Sequence, residues 1–146
     1  MRILLALGLL AMTYSLAIGS DLHRIKTIYI GGIVDDHNEQ LPIKPLLKRE
    51  LEKNGFIIVD AASEADAILT GSILSELPLD GDGTARPRFF PDFKLTAPTG
   101  EVLWAGATKF YAAWDNPDRL QIAASKIAKK LFNDWKRSAK LVGIKP

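Results

Sequence analysis

The sequence predicts an α/β fold, a mixed β-sheet covered by two principal amphipathic helices in the order β-α-β-β-β-α. Three stretches predict it. Residues 55–75, GFIIVDAASEADAILTGSILS, read as a strand, a short acidic connection and a second strand. Residues 56–59 are β-branched and aromatic and follow an Asn54-Gly55 pair suited to ending a helix. Residues 67–74 are almost continuously apolar, as in a strand buried on both faces. Both strands are therefore expected at the centre of the sheet. A leucine stripe before them and a longer apolar stripe near the C-terminus supply the two covering helices.

At the start of the chain, Met1 and Arg2 precede an apolar run over residues 3–12, followed by small residues through Gly19. A short basic end, an apolar centre and a small-residue junction are the pattern of a secretory signal peptide, with cleavage expected after Gly19 and Ala17 as the alternative. A membrane anchor needs about 20 apolar residues, and this run is interrupted sooner. The organisation expected is a signal peptide over 1–19 and a single α/β domain over 20–146, placed in the periplasm or secreted. Asp21, His23 and Arg24 give the first mature residues a polar character.

The composition, 47% apolar and 25% charged, is that of an ordered globular chain. Loss of the leader removes Arg2 from 19 Lys and Arg, leaving 18 against 17 Asp and Glu. So balanced a surface argues against nucleic acid as a partner. The sequence contains no cysteine, which excludes disulfides, thiol nucleophiles and a thioether-linked lipid within it.

Residues 26–31 form the first expected strand, ended by Gly31-Gly32, and VDDHNEQL over 34–41 forms a polar connection. A helix then runs from near Pro42 or Pro45 to about Lys53, with Ile43, Leu46, Leu47 and Leu51 on one stripe. Ser63 and Glu64 suit one helical turn before the central strand. Glycines and prolines over 77–88 indicate a long exposed loop. Strands at 89–97 and 102–111, joined by Pro98-Thr99-Gly100, form an antiparallel pair with Phe89, Phe93 and Leu95 on one face. Pro91 is best accommodated at an edge or bulge, and Gly106 marks a bend. In the last helix Pro117 occupies the first turn, with Asn116 or Asp115 as cap, and Leu120, Ala124, Ile127, Ala128, Leu131 and Trp135 recur on one face.

The densest chemical cluster is Asp35, Asp36, His37 and Glu39. Carboxylates beside an imidazole can hold a divalent cation or organise proton transfer, so a metal-assisted hydrolase is one alternative. Successive loop residues do not specify a ligand geometry, and a solvated turn is the more economical reading; no metal or other cofactor is expected. Asp80, Asp82 and Thr84 lack the twelve-residue spacing of a calcium loop, and Thr70, Ser72 and Ser75 stand in no G-x-S-x-G elbow. Partner binding is expected at Phe89 and Phe90 with Arg86 and Arg88, beside the loops 31–42 and 77–88. An open sheet edge offers backbone pairing as a further route. Lys136, Arg137 and Lys140, at the end of the last helix, form a candidate anion-binding group for a small ligand or a lipid headgroup.

At Gly55-Phe56, the Ala65-Asp66-Ala67 approach, Gly71-Ser72 and the Gly100-Glu101-Val102-Leu103-Trp104 hairpin, the chain resembles small α/β domains of bacterial envelope proteins. These include the N-terminal domain of TolB, the curli secretion protein CsgG and related lipoproteins, and the resemblance spans residues 26–137. It implies a non-catalytic, exported protein-binding or assembly-accessory domain whose partner is an envelope protein or a second copy of itself. The lipid-bearing cysteine common in those families has no counterpart here.

Overall fold

A computed structural model describes residues 21–77 and 86–143. Its backbone is one mixed six-stranded sheet with two helices on one face. The elements are β1 (Thr27–Val34), α1 (Lys44–Lys53), β2 (Ile57–Ile58), β3 (Ala67–Glu76), β4 (Arg88–Thr96), β5 (Val102–Ala107), β6 (Phe110–Tyr111) and α2 (Arg119–Leu141). Short 3-10 turns stand at Leu22–Arg24 and Ala62–Glu64. The strand order is β2-β1-β3-β4-β5, with β6 paired to β4 beyond the end of β5. β1 runs parallel to β2 and β3, and the remaining pairs are antiparallel.

Helix α1 ends as its sequence requires. Gly55 takes a φ of 92°, the N–H of Phe56 donates to Leu51 C=O (3.2 Å) and that of Gly55 to Glu52 C=O (3.0 Å). This is a Schellman closure, with Leu51 and Phe56 both buried beneath it. The strand that follows is not central. β2 keeps two residues and lies at the sheet edge, because the chain leaves it after Val59 to reach β3 through the turn at Ala62–Glu64. β3 is central, yet only one of its faces is deeply buried: Ala67, Leu69 and Ile73 point at the helices while Leu74 and Glu76 are exposed. A continuous apolar run here reflects one covered and one open face.

The Gly31-Gly32 pair does not end β1. The register steps from Ile30↔Leu69 to Ile33↔Gly71, so the glycines form a bulge with one extra residue. That phase change is what lets Ile28, Ile30 and Ile33 all face the core. β4 is also central, with Pro91 in its middle. Thr108 N–H donates to Pro91 C=O (2.9 Å), but proline has no N–H to return, and the facing strand parts at residues 108–109. The expected strand 102–111 is thus split into β5 and β6 on a single register line, Asp92↔Ala107 and Phe89↔Phe110.

Phe93 lies between Gly71 and Gly106 in the cross-strand row on the core face. A Cβ on Gly71 would stand 2.7 Å from the Phe93 ring, and a Cβ on Gly106 would strike the Trp104 indole. These two glycines give rings room to lie flat on the sheet, so Gly106 serves packing at a point where the sequence suggests a bend.

Both helices cover the same face. Arg49 donates to Gln121 Oε1 (3.1 Å) and Gln121 to Glu50 Oε1 (2.8 Å), clasping α1 to α2. The Gln121 amide, followed by the Lys53 ammonium, holds the Glu50 carboxyl below its usual range. Ala123, Ala124, Ile127, Ala128 and Leu131 are buried along α2. Its start lies at Arg119, two residues beyond Pro117; Asn116 Oδ1 accepts the N–H of Asp118 (2.8 Å) in a turn that precedes the helix. The polar-looking first residues are pinned to its far end. Leu22 and Ile25 are buried, Trp135 Nε1 donates to Ile25 C=O (3.0 Å), and His23 N–H donates to Ser138 Oγ (3.2 Å). Among the described residues no helix is long and apolar enough to cross a membrane.

Candidate functional site

With both helices on one side, the other face of β3, β4 and β5 has no covering element among the described residues. Cross-strand pairs of β3 and β4 line it: Ile68↔Thr96, Thr70↔Lys94, Ser72↔Asp92, Leu74↔Phe90 and Glu76↔Arg88. Arg88 Nη2 lies 3.3 Å from Glu76 Oε1, and its guanidinium carbon is 6.0 Å from the Phe90 ring centroid. Leu74, Ala105 and Ala107 are exposed on the same face, and Phe90 is half-buried. The outcome is an apolar Leu74–Phe90 pair framed by one ion pair and small residues.

Of the four expected partner-binding residues, Arg88 and Phe90 reach this face and Arg86 is exposed just before it. Phe89 does not. It is 6% exposed, stacked on Phe110 at 5.2 Å and edge-on to Trp114 at 5.5 Å. Strand geometry is the reason, since successive side chains point to opposite faces and residues 89 and 90 cannot both dock. Most of the expected 77–88 loop, residues 78–85 with the Asp80 and Asp82 sequence, lies outside the described residues.

The edge strand β5 adds a second feature. Thr108 turns its N–H toward β4, so by alternation Ala105 and Ala107 turn their backbone groups to the free edge. VLWAGA carries no charge and no proline. Edges are ordinarily guarded by such residues, and this one has only the register shift opposite Leu95 and Thr96.

The Asp35, Asp36 and His37 region folds into a tight hairpin whose polar atoms are largely engaged. Asp35 Oδ1 accepts the N–H groups of His37 (2.8 Å) and Glu39 (3.0 Å), Asn38 adopts a φ of 60°, and Leu41 N–H donates to Ile33 C=O (2.8 Å). The bond from Glu39 N–H, with that from His37, holds the Asp35 carboxyl below its usual range. Asp36 ties the hairpin to β3 by accepting the N–H of Ser75 (3.0 Å) and its hydroxyl. The loop helps to line a cleft of about 230 Å³ together with Ile73, Phe89, Phe110, Trp114, Arg119 and Leu120. Arg119 is committed to the Trp114 C=O.

The described side chains of this cleft form no serine–histidine–acid relay. The Ser75 hydroxyl meets a carboxylate directly, with no imidazole between to take its proton. Among the described residues no group of three or more His, Cys, Asp and Glu could hold a metal ion.

The anion-binding expectation falls on the last two turns of α2. Arg137 and Lys140 are exposed, while Lys136 lies over the Phe132 ring, 4.7 Å from its centroid. Cations of the basic C-terminal segment gather earlier on the helix as well. Lys126, Lys130 and Arg137 share a flank of α2 bordering Thr108, around a shallow groove of about 270 Å³. Spacing of four and seven residues was the available signal.

Neither a described protein family nor a curated protein sequence matches this chain. Solved structures with a similar fold include the PelC dodecamer from Paraburkholderia phytofirmans in two crystal forms. The first has a TM-score of 0.53 and 15% identity, covering 76% of this chain and 89% of that one. The second, of a PelC carrying one substitution, has 0.50 and 17%, covering 82% and 88%. Lipoprotein GNA1162 from Neisseria meningitidis gives 0.50 and 14%, covering 74% and 99%. At these identities the likeness is one of fold: a small α/β domain similar to those of PelC and lipoprotein GNA1162, and not specifically to TolB or CsgG.

Proposed function

We propose that this chain is an exported, non-catalytic domain of the bacterial envelope that acts by docking to protein, a second copy of itself included. Residues 1–19 would direct export and residues 20–146 form the working domain. One observation carries the reading: α1 and α2 share one face of the sheet, leaving the Leu74–Phe90 face and the uncharged β5 edge uncovered among the described residues. A two-layer domain buries its helical side, and an open apolar pair beside an unguarded edge is suited to a partner strand or sheet. The dodecameric state named for PelC, whose fold is similar, supports self-association as the simplest form of that docking. Arg88 and Phe90 would make the face contacts, with Arg86 beside them.

Light scattering over a range of protein concentrations tests the proposal, together with cross-linking in intact envelopes through a photoreactive residue at position 90. An assembly, or a specific cross-linked protein, is expected. Phe90→Ser and Ala105→Lys should each weaken it at least tenfold while lowering the stability of the fold by only about 1 kcal/mol or less. A monomer at all concentrations that also forms no envelope cross-link from position 90 would remove the basis of the reading.

A further inference from the structure

Residues 126–140 of α2 carry a net charge of +5, whereas the rest of the chain sums to −3. Six cations occupy that stretch and Asp134 is its single acid. Asp134 is already shared: it accepts Trp104 Nε1–H (3.0 Å) and lies 3.8 Å from Lys130 and 3.6 Å from Arg137. Lys126 and Lys130, like Lys136 and Lys140, are cations four apart on one side of the helix. Such like-charge pairs destabilise a helix, and an ordinary solvated face mixes both signs. The inward stripe of α2 is consumed by the core, so these charges occupy the outward surface and the flank beside Thr108. The row extends about 21 Å at 1.5 Å per residue. At its end Leu141 is 75% exposed and Val142 is 46% exposed.

We infer that the outward face of α2 is a docking surface for an anionic phospholipid bilayer, lysines and arginine meeting lipid phosphates while Leu141 and Val142 enter the headgroup boundary. Charge complementarity selects an anionic partner. The length of the row favours an extended surface, and the exposed apolar pair at the cationic end favours one with a hydrocarbon layer beneath it. The inference is independent of the open sheet face, which lies on the opposite side of the domain.

The test is co-sedimentation of the purified protein with vesicles of phosphatidylcholine alone and of phosphatidylcholine mixed with phosphatidylglycerol. Binding to the mixed vesicles is expected, weakened by salt. The triple variant Lys129→Gln, Lys136→Gln, Lys140→Gln should lower partitioning on the order of a hundredfold. Leu141→Ser should lower it severalfold with the charges intact. Lys129, Lys140 and Leu141 are exposed and Lys136 is half-buried over the Phe132 ring, so circular dichroism verifies that the variants keep the fold. Equal sedimentation with both vesicle types, or no effect of the triple variant, would overturn the inference. So would displacement by soluble polyglutamate combined with indifference to Leu141→Ser, which would assign the surface to an acidic polymer.

Discussion

Gly106→Ala tests the packing that joins the sheet to α2. The Trp104 indole lies over Gly106, and an added Cβ would stand 2.6 Å from its Cη2. Neither the backbone of a paired strand nor the buried ring has free space to yield, so overpacking costs about 1–3 kcal/mol. The ring must also swing away from Asp134, whose carboxylate accepts its N–H at 3.0 Å. A bond to a charged acceptor contributes about 1.5–3 kcal/mol, and partial exposure places this one near the lower end. Reduced freedom of the unfolded chain returns less than about 1 kcal/mol. The net loss expected is about 2–4 kcal/mol, read from urea unfolding as a lower midpoint with an unchanged slope. In thermal melts it corresponds to roughly 6–16 °C. A double-mutant cycle with Asp134→Ala isolates the mechanism: if the alanine acts partly by withdrawing the indole from Asp134, the two losses overlap by about 1 kcal/mol or more. A wild-type midpoint for Gly106→Ala, or strict additivity with Asp134→Ala, would refute the reasoning.

Two other predictions concern stability. The Asp66 carboxylate accepts the N–H groups of Lys26 (2.9 Å) and Thr27 (3.0 Å), and the Thr27 bond foremost holds its carboxyl below the usual range. A depressed folded pKa stabilises above the unfolded value near 3.9, and the contribution is lost as pH falls through the folded value. Asp66→Ala should therefore be less stable than wild type at neutral pH by about 1 kcal/mol, discounted for solvent exposure, with the difference vanishing in acid. Urea titrations at both pH values measure it, and a difference that persists in acid would contradict this origin. For adjacent aromatics, Phe89→Ala should cost about 3–5 kcal/mol and Phe90→Ala about 1 kcal/mol or less, since only the first ring is deeply buried; equal losses in denaturant midpoint would contradict the strand phase.

Local signals determined much of this protein. The leucine stripe of α1, its Asn54-Gly55 stop, the apolar face of α2 and the Pro98-Thr99-Gly100 hairpin each depend on interactions within a few residues, so they were legible from spacing alone. Period-two alternation also placed Phe89, Phe93 and Leu95 together, and followed one step further it would have separated Phe89 from Phe90. Tertiary structure decided what depends on a distant partner. Pro91 sits in a central strand because residues 108–109 break opposite it, and Gly31-Gly32 extend β1 because a bulge rephases Ile33. Likewise β2 is an edge because of where the chain next travels, and Asp36 is engaged because β3 brings Ser75 to it. The open sheet face follows from both helices burying their apolar stripes in one core on the same side of the sheet, where the Gln121 clasp then joins them. A sequence specifies which residues want burial through their own chemistry; which face remains bare is set by how all the elements fit around them.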